Sequence, residues 1–323
     1  MKAAVTGGSG VVGTAVVRHL VAAGHTVRAL ARSGESDRRL HELGAYPVPG
    51  DILDGTSVHR LVEDCDWVFH VAGVNELCSR NPGLMWTVNV DGTRIVLDAC
   101  AGAGVERMIL TSSAVVIGET PGTTATETSP HRGRFLSEYE RSKWEAERIA
   151  LGRSHPFEVV AVNPASVQGP GRATGTGALL LAAARGRMPF AVDFAFSIVD
   201  IDDCARGHLL AAERGEPSQR YLLSGATLTT REIVARLGVL TGRPSSPWYV
   251  RPEVFTALAP AVDLAFRLAG SQSPLCAESA RVLAAGSRYD GSRAKKELGL
   301  DYTPVDETLR RTLEWFGAEG LIS

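Results

Sequence analysis

The stretch VTGGSGVVG, residues 5–13, constrains the fold of this chain more than any other. It follows KAAVT, a short strand-like run, and opens VVGTAVVRHLVAAG. There Val12, Ala15, Val16, His19 and Leu20 fall on one helical face, and Gly24 supplies the stop. A strand that turns through glycines into a helix leaves amide N–H groups pointing outward, with no Cβ to keep a ligand away. A pyrophosphate suits such a site, because the helix start also carries positive charge. Gly7, Gly10 and Gly13 give one spacing, and Gly8 with Gly10 and Gly13 spells GxGxxG. Spacing alone does not choose between these registers. In both, Val11 and Val12 open the helix beside the phosphates.

Short β-branched runs then alternate with helical stretches. TVRALA, AYPVPGDI, DWVFHVAG, ERMILTSS and FEVVAVNPAS read as strands, separated by ESDRRLHELG and by TVNVDGTRIVLDACAGAG, with Val88, Ile95 and Ala99 at helical spacing. Nearly continuous apolar strands belong to a parallel sheet buried on both faces, so the fold class is α/β, doubly wound. After Pro164 the pattern loosens through NPASVQGPGRATGTG and TGRPSSPWYVRP. Residues 1–164 therefore read as the nucleotide-binding domain and 165–323 mainly as a smaller lobe, with about 190–223 able to return to the sheet. The tail reads as two short helices around Pro304.

The strand TVRALA ends in Arg32 and Ser33, where an acid often grips a ribose hydroxyl. A guanidinium there fits a 2′-phosphate instead, so NADP(H) is expected over NAD(H). Asp51 and Ile52, at the end of the third strand, are placed to meet the adenine. Val71, Ala72 and Gly73 are small enough to let the cofactor lie close.

Tyr139 and Lys143 in YERSK are four residues apart on a helix and share a face. The ammonium is expected to bring the phenol from ~10 down by about 1–3 toward neutrality. A hydroxyl from LTSSAVVIG, ending the preceding strand, is placed to hold a substrate oxygen beside it.

With these residues in order, the chain resembles the extended short-chain dehydrogenase/reductases over nearly its whole length. It is most similar to dihydroflavonol-4-reductase-like enzymes and hopanoid-associated sugar epimerases. VRALAR, NVDGT, LTSSA, YERSK, VNPASVQGPG and DDCARGHLLA carry the resemblance. It implies a Rossmann-type, mostly parallel seven-stranded sheet with a C-terminal substrate lobe. It also implies Tyr139 as acid/base, Lys143 as its activator and ribose ligand, and Ser113 as the substrate hydrogen bond. The Pro164 to Val167 turn would meet the nicotinamide carboxamide. Two departures stand out. Ile117 replaces a common tyrosine, and DFAFSIVDIDD carries Phe196 where sugar epimerases place an arginine, with Asp200 where a histidine is common. A substrate is expected to meet Phe194, Phe196 and nearby carboxylates, which disfavours a nucleotide sugar.

The expected activity is NADPH-dependent interconversion of a carbonyl and a secondary alcohol on a fairly apolar small molecule. The alternatives are a nucleotide-sugar epimerase or dehydratase and a catalytically silent NADP-binding regulator. A net charge of −2 gives no case for nucleic acid as a partner. VFTALAPAVDLAFRLAG, 254–270, is too short and too charged to span a bilayer, and is expected to be a core or lid helix. The five cysteines lack a CxxC and read as buried thiols in a reducing, cytoplasmic setting, with no metal site. A homodimer is the oligomeric form to test.

Overall fold

Alternation along each strand divides the core into two layers. Ala3, Val5, Phe69, Ile109, Val160 and Val162 pack on one face, while Ala4, Val68, Met108, Leu110, Val159 and Ala161 pack on the other. In the computed structural model, which describes residues 1–79, 81–268 and 276–322, these runs form one parallel sheet. Its strands are β1 (Lys2–Thr6), β2 (Thr26–Ala31), β3 (Tyr46–Pro49), β4 (Trp67–His70), β5 (Arg107–Thr111) and β6 (Glu158–Pro164). Their order is β3-β2-β1-β4-β5-β6, so strand order reverses beside β1. That reversal opens a crevice at the strands' carboxyl ends, where ligands of such sheets bind.

The helices covering the faces are α1 (Val11–Ala22), α2 (Gly34–Glu42), α3 (Gly55–Val62), α4 (Pro82–Trp86), α5 (Gly92–Ala103) and α6 (Glu138–Leu151). A π-helical turn, Thr87–Asp91, joins α4 to α5. Beyond β6 come β7 (Ser166–Gln168), α7 (Thr176–Ala184), β8 (Phe190–Val192), β9 (Ala195–Asp200), α8 (Ile201–Arg214) and β10 (Arg220–Leu223). β10 pairs with β6 in parallel as the seventh strand, and α8 lies on α1, where Asp202 pairs with Arg18. Residues 201–223 thus return to the large sheet. Arg220–Leu223 did not stand out in the sequence because four residues carry too little pattern.

The lobe adds β11 (Ala226–Thr229), α9 (Thr230–Thr241), β12 (Trp248–Val250), α10 (Pro252–Leu268), α11 (Ala277–Ala285) and α12 (Val305–Ala318). β11-β9-β7 and β12-β8 form two small sheets around a third core containing Leu180, Phe196, Ile233 and Phe316. The tail has one π-helical turn, Ala294–Leu298, and then α12, where Pro304 sits before the first turn. The apolar stretch 254–268 lies in α10. Phe255 and Ala259 are buried there with Val192 and Ala280, and residues 269 and 270 lie outside the described residues. Among the described residues, no helix is long and apolar enough to cross a membrane.

Contrary to expectation, the five cysteines are not all free thiols. Cys78 and Cys276, 198 residues apart, form a disulfide between the loop after β4 and the start of α11. Nothing in linear spacing reveals a pair that only docking of the lobe brings together. Cys65, Cys100 and Cys204 are buried thiols, and burial pushes Cys100 up to about 12. Alkylation of the unfolded, unreduced protein should therefore label three cysteines, and five would contradict the bond. Cys276→Ser should lower the unfolding free energy, read by urea titration, by about 2–4 kcal/mol.

Candidate active site

The glycine register left open by spacing is decided by contact. Gly7 has φ +71°, and a Cβ built on it would lie 2.5 Å from the Ala72 nitrogen. One on Gly13 would lie 2.0 Å from the Gly7 carbonyl oxygen. Gly8 instead faces the side chains of Leu40, Ala29 and Val17. Gly7, Gly10 and Gly13 therefore form the working turn. Ser33, Asp54, Ser137, Asp200 and Thr229 cap α2, α3, α6, α8 and α9 with side-chain oxygens. Gly10 offers α1 none. The first-turn amides of α1 are left for an external acceptor in a cradle that a Cβ would fill, and a pyrophosphate fits both features. Val11 and Val12 sit half-buried on the core at this helix start.

Around the crevice, Arg32 is exposed after β2 and makes no hydrogen bond or ion pair with the described residues. Asp51 accepts from the Leu53 nitrogen at 2.9 Å, and Ile52 packs on Gly92. Val71 and Ala72 donate to the backbone and hydroxyl oxygens of Thr6, at 3.1 and 3.3 Å. Thr6 Oγ1 donates to His70 Nδ1 at 2.8 Å, and His70 Nε2 donates to Thr93 Oγ1 at 3.0 Å. Thr93 donates in turn to the Asn89 carbonyl at 2.6 Å. Thr93 spends its proton there and Thr6 Oγ1 accepts from Ala72, so this tautomer satisfies every group. Burial holds the His70 imidazole neutral, with its pKa lowered to about 3. Pro164 ends β6, and the Val167 side chain is buried in the core, leaving its backbone to serve a ligand.

Ser137, two residues before Tyr139, caps α6 by accepting from the Glu140 nitrogen at 3.0 Å. The Ser113 hydroxyl lies near enough to the Tyr139 phenol to favour its ionised form. Burial nevertheless raises the phenol's pKa above its ordinary value, and the second group opposing that rise is Arg172, not Lys143. Lys143 is buried one turn further on and donates to the Thr111 carbonyl at 2.6 Å. Burial lowers its own pKa to about 8, against the pull of Glu147. Glu147 accepts from Asn163 Nδ2 at 2.5 Å and pairs with Arg220 at 3.1 Å. Asn163 also donates to the Ser113 carbonyl at 3.2 Å, so β10 helps to place Ser113.

Two site residues escaped the sequence reading. Asn89, inside NVDGT, accepts from the Val74 nitrogen at 2.8 Å and donates to the Val74 carbonyl and to Ser142 Oγ, both at 2.9 Å. It fixes the loop after Gly73 to α6 beside Lys143, and its position within a phrase shared with the resembled family was the available signal. Arg172 lies in the glycine-rich loop after β7, where nothing local distinguishes it from a solvated charge. The expected substrate wall also changes. Phe196 is sealed in the lobe core with Phe194 stacked on it at 5.2 Å. The Asp200 carboxylate caps α8 and is held by Thr308 at 2.9 Å and Arg311 at 3.3 Å, facing α12. β9 needs its alternate residues to fill the lobe core, so neither side chain forms the expected wall.

The model of the NAD dependent epimerase/dehydratase family matches residues 3–224. A putative dihydroflavonol 4-reductase from Synechocystis is 33% identical, covering 98% of this chain and 95% of the relative. Sterol demethylase protein B from Methylococcus capsulatus is 32% identical over the full length of both. The solved structure of a nucleoside-diphosphate-sugar epimerase from Pseudomonas aeruginosa superposes with a TM-score of 0.80 at 27% identity, covering 100% of this chain and 99% of that one. The chain is an enzyme of the NAD-dependent epimerase/dehydratase family, of the extended short-chain dehydrogenase/reductase type.

Proposed function

We propose that this enzyme uses NADPH to reduce a carbonyl on a largely apolar small molecule, or runs the reverse oxidation. The observation that carries the reading is the Ser113 hydroxyl beside the Tyr139 phenol at the carboxyl edge of the sheet, with Lys143 one turn away. Names of relatives at 32% and 33% identity, a sterol demethylase protein and a dihydroflavonol reductase, support an apolar substrate. Arg32 supports NADP(H), since an exposed guanidinium without a protein partner suits a 2′-phosphate. An epimerase with a retained cofactor would use the same three side chains. An open-edge phosphate contact favours a cofactor that exchanges.

The first-turn amides of α1 and the Gly7–Gly13 turn would hold the pyrophosphate, with Asp51 and Ile52 at the adenine and Val71 to Gly73 as the wall. Pro164 and the Val167 backbone would meet the carboxamide. When bound, NADPH supplies the hydride. As the carbonyl oxygen gains charge, Tyr139 donates its phenolic proton to it and Ser113 donates a hydrogen bond that keeps it in line. Lys143 spends one N–H on Thr111 and keeps two for the ribose hydroxyls, which relay its charge toward the phenol.

Tyr139→Phe should cut kcat by about 10²–10⁴-fold while leaving NADPH affinity within a few-fold, because it removes only the proton donor. Near-normal turnover would sink the mechanism. As pH rises through about 8, Lys143 loses its proton, so NADPH affinity should fall along an alkaline limb there. Lys143→Met should bind weakly at every pH and lack that limb. Arg32→Ala should weaken NADPH by roughly ten- to a hundredfold and NADH far less, measured by fluorescence titration. Equal weakening of both would remove the 2′-phosphate assignment. In a substrate screen followed by NADPH absorbance, turnover of ketones or aldehydes is expected, and epimerisation of a UDP-sugar without net cofactor change would establish the alternative.

A further inference from the structure

The loop GPGRATGTG, residues 169–177, is folded around one arginine side chain. Gly169, Gly171 and Gly175 have φ of +139°, +91° and +58°, conformations that admit glycine readily. A Cβ on Gly175 would come 3.3 Å from Arg172 Nη2, and one on Gly177 would meet the Arg172 carbonyl at 2.5 Å and its Cγ at 3.1 Å. A Cβ on Gly171 would lie 3.8 Å from Val11 Cγ1, so the loop roofs the crevice at the start of α1. Arg172 Nε is buried without a hydrogen-bond partner, and among the described residues no carboxylate pairs with the guanidinium. Its positive charge is felt at the Tyr139 phenol, where the reacting oxygen would sit.

Arg172 is half-buried, and a buried guanidinium N–H without an acceptor is costly unless a ligand completes it. We propose that Arg172 is a specificity-determining residue that binds a carboxylate carried by the substrate close to its reacting carbonyl. This rests on the reductase reading of the same site. The bound cofactor offers another anion, its pyrophosphate, but that group already has the uncapped amides of α1. Arg172 acts instead on the phenol. A single cation beside Tyr139 selects one negative charge on an otherwise apolar molecule.

The test is calorimetric binding to the enzyme–NADP⁺ complex, using a panel of aryl and alkyl keto acids, such as 4-oxo-4-phenylbutanoate, with their methyl esters. NADP⁺ has no hydride to give a ketone, so the titration reads binding alone. NADPH oxidation by the same panel separately tests the reductase reading. At least one acid should bind about ten- to a hundredfold more tightly than its ester. Arg172→Gln should erase that preference, Arg172→Lys should keep part of it, and both variants should hold NADP⁺ within about threefold and melt with the parent. Acids binding no better than esters throughout the panel would overturn the proposal. So would Arg172→Gln losing NADP⁺ affinity tenfold while the acid preference persists, since Arg172 would then belong to the cofactor.

Discussion

The arrangement of the site depends on one close approach, where the backbone at Gly7 passes against both Gly13 and Ala72. No side chain fits between these segments, so β1 can enter α1 with its amides open and β4 can end beside it. From that crossing, hydrogen bonds run through Thr6, His70 and Thr93 to Asn89. Asn89 then joins the loop after Gly73 to Ser142, whose hydroxyl donates to the Tyr139 carbonyl at 2.9 Å. The phosphate cradle and the tyrosine–lysine helix are thereby held by one continuous set of satisfied polar groups. His70 stays neutral throughout, because burial and the nearby Lys143 charge both disfavour an imidazolium.

Charge in the site is divided between two cations. Lys143 feels the Glu147 charge, which Arg220 and Asn163 hold in place from two adjacent strands. Arg172 approaches from the lobe side and is the cation that favours ionisation of Tyr139 before any ligand enters. The phenol itself stays above its ordinary pKa, so in the free enzyme at neutral pH it carries its proton. That is the form a carbonyl reduction requires at its start.

The lobe is tied to the reactive helix at a specific place. Glu278 on α11 accepts from the backbone nitrogens of Cys78 at 2.6 Å and Glu138 at 2.7 Å. The Cys78–Cys276 disulfide lies beside it. These bonds join α11 to the loop after β4 and to the residue before Tyr139. Together, Cys78, Cys276 and Glu278 have the donor types of a metal site. In this structure the sulfurs are bonded to each other and the carboxylate is engaged by amides.

The sequence by itself determined the sheet, the glycine turn and the Tyr139–Lys143 helix, because each is written in short-range spacing. Short, nearly continuous apolar runs mark the strands, and a four-residue interval places two side chains on one face. The choice of register among Gly7, Gly8 and Gly10 was decided only when Ala72 and Leu40 arrived from distant segments. Tertiary structure also decided that Phe196 faces the lobe core, that Asp200 serves α12, and that Cys78 meets Cys276. A cation that favours ionisation of Tyr139 proved to be Arg172, which comes from a loop far along the chain. In each case the deciding contact joins residues far apart in the chain, and electrostatics and packing depend on distance in space, which local spacing does not encode.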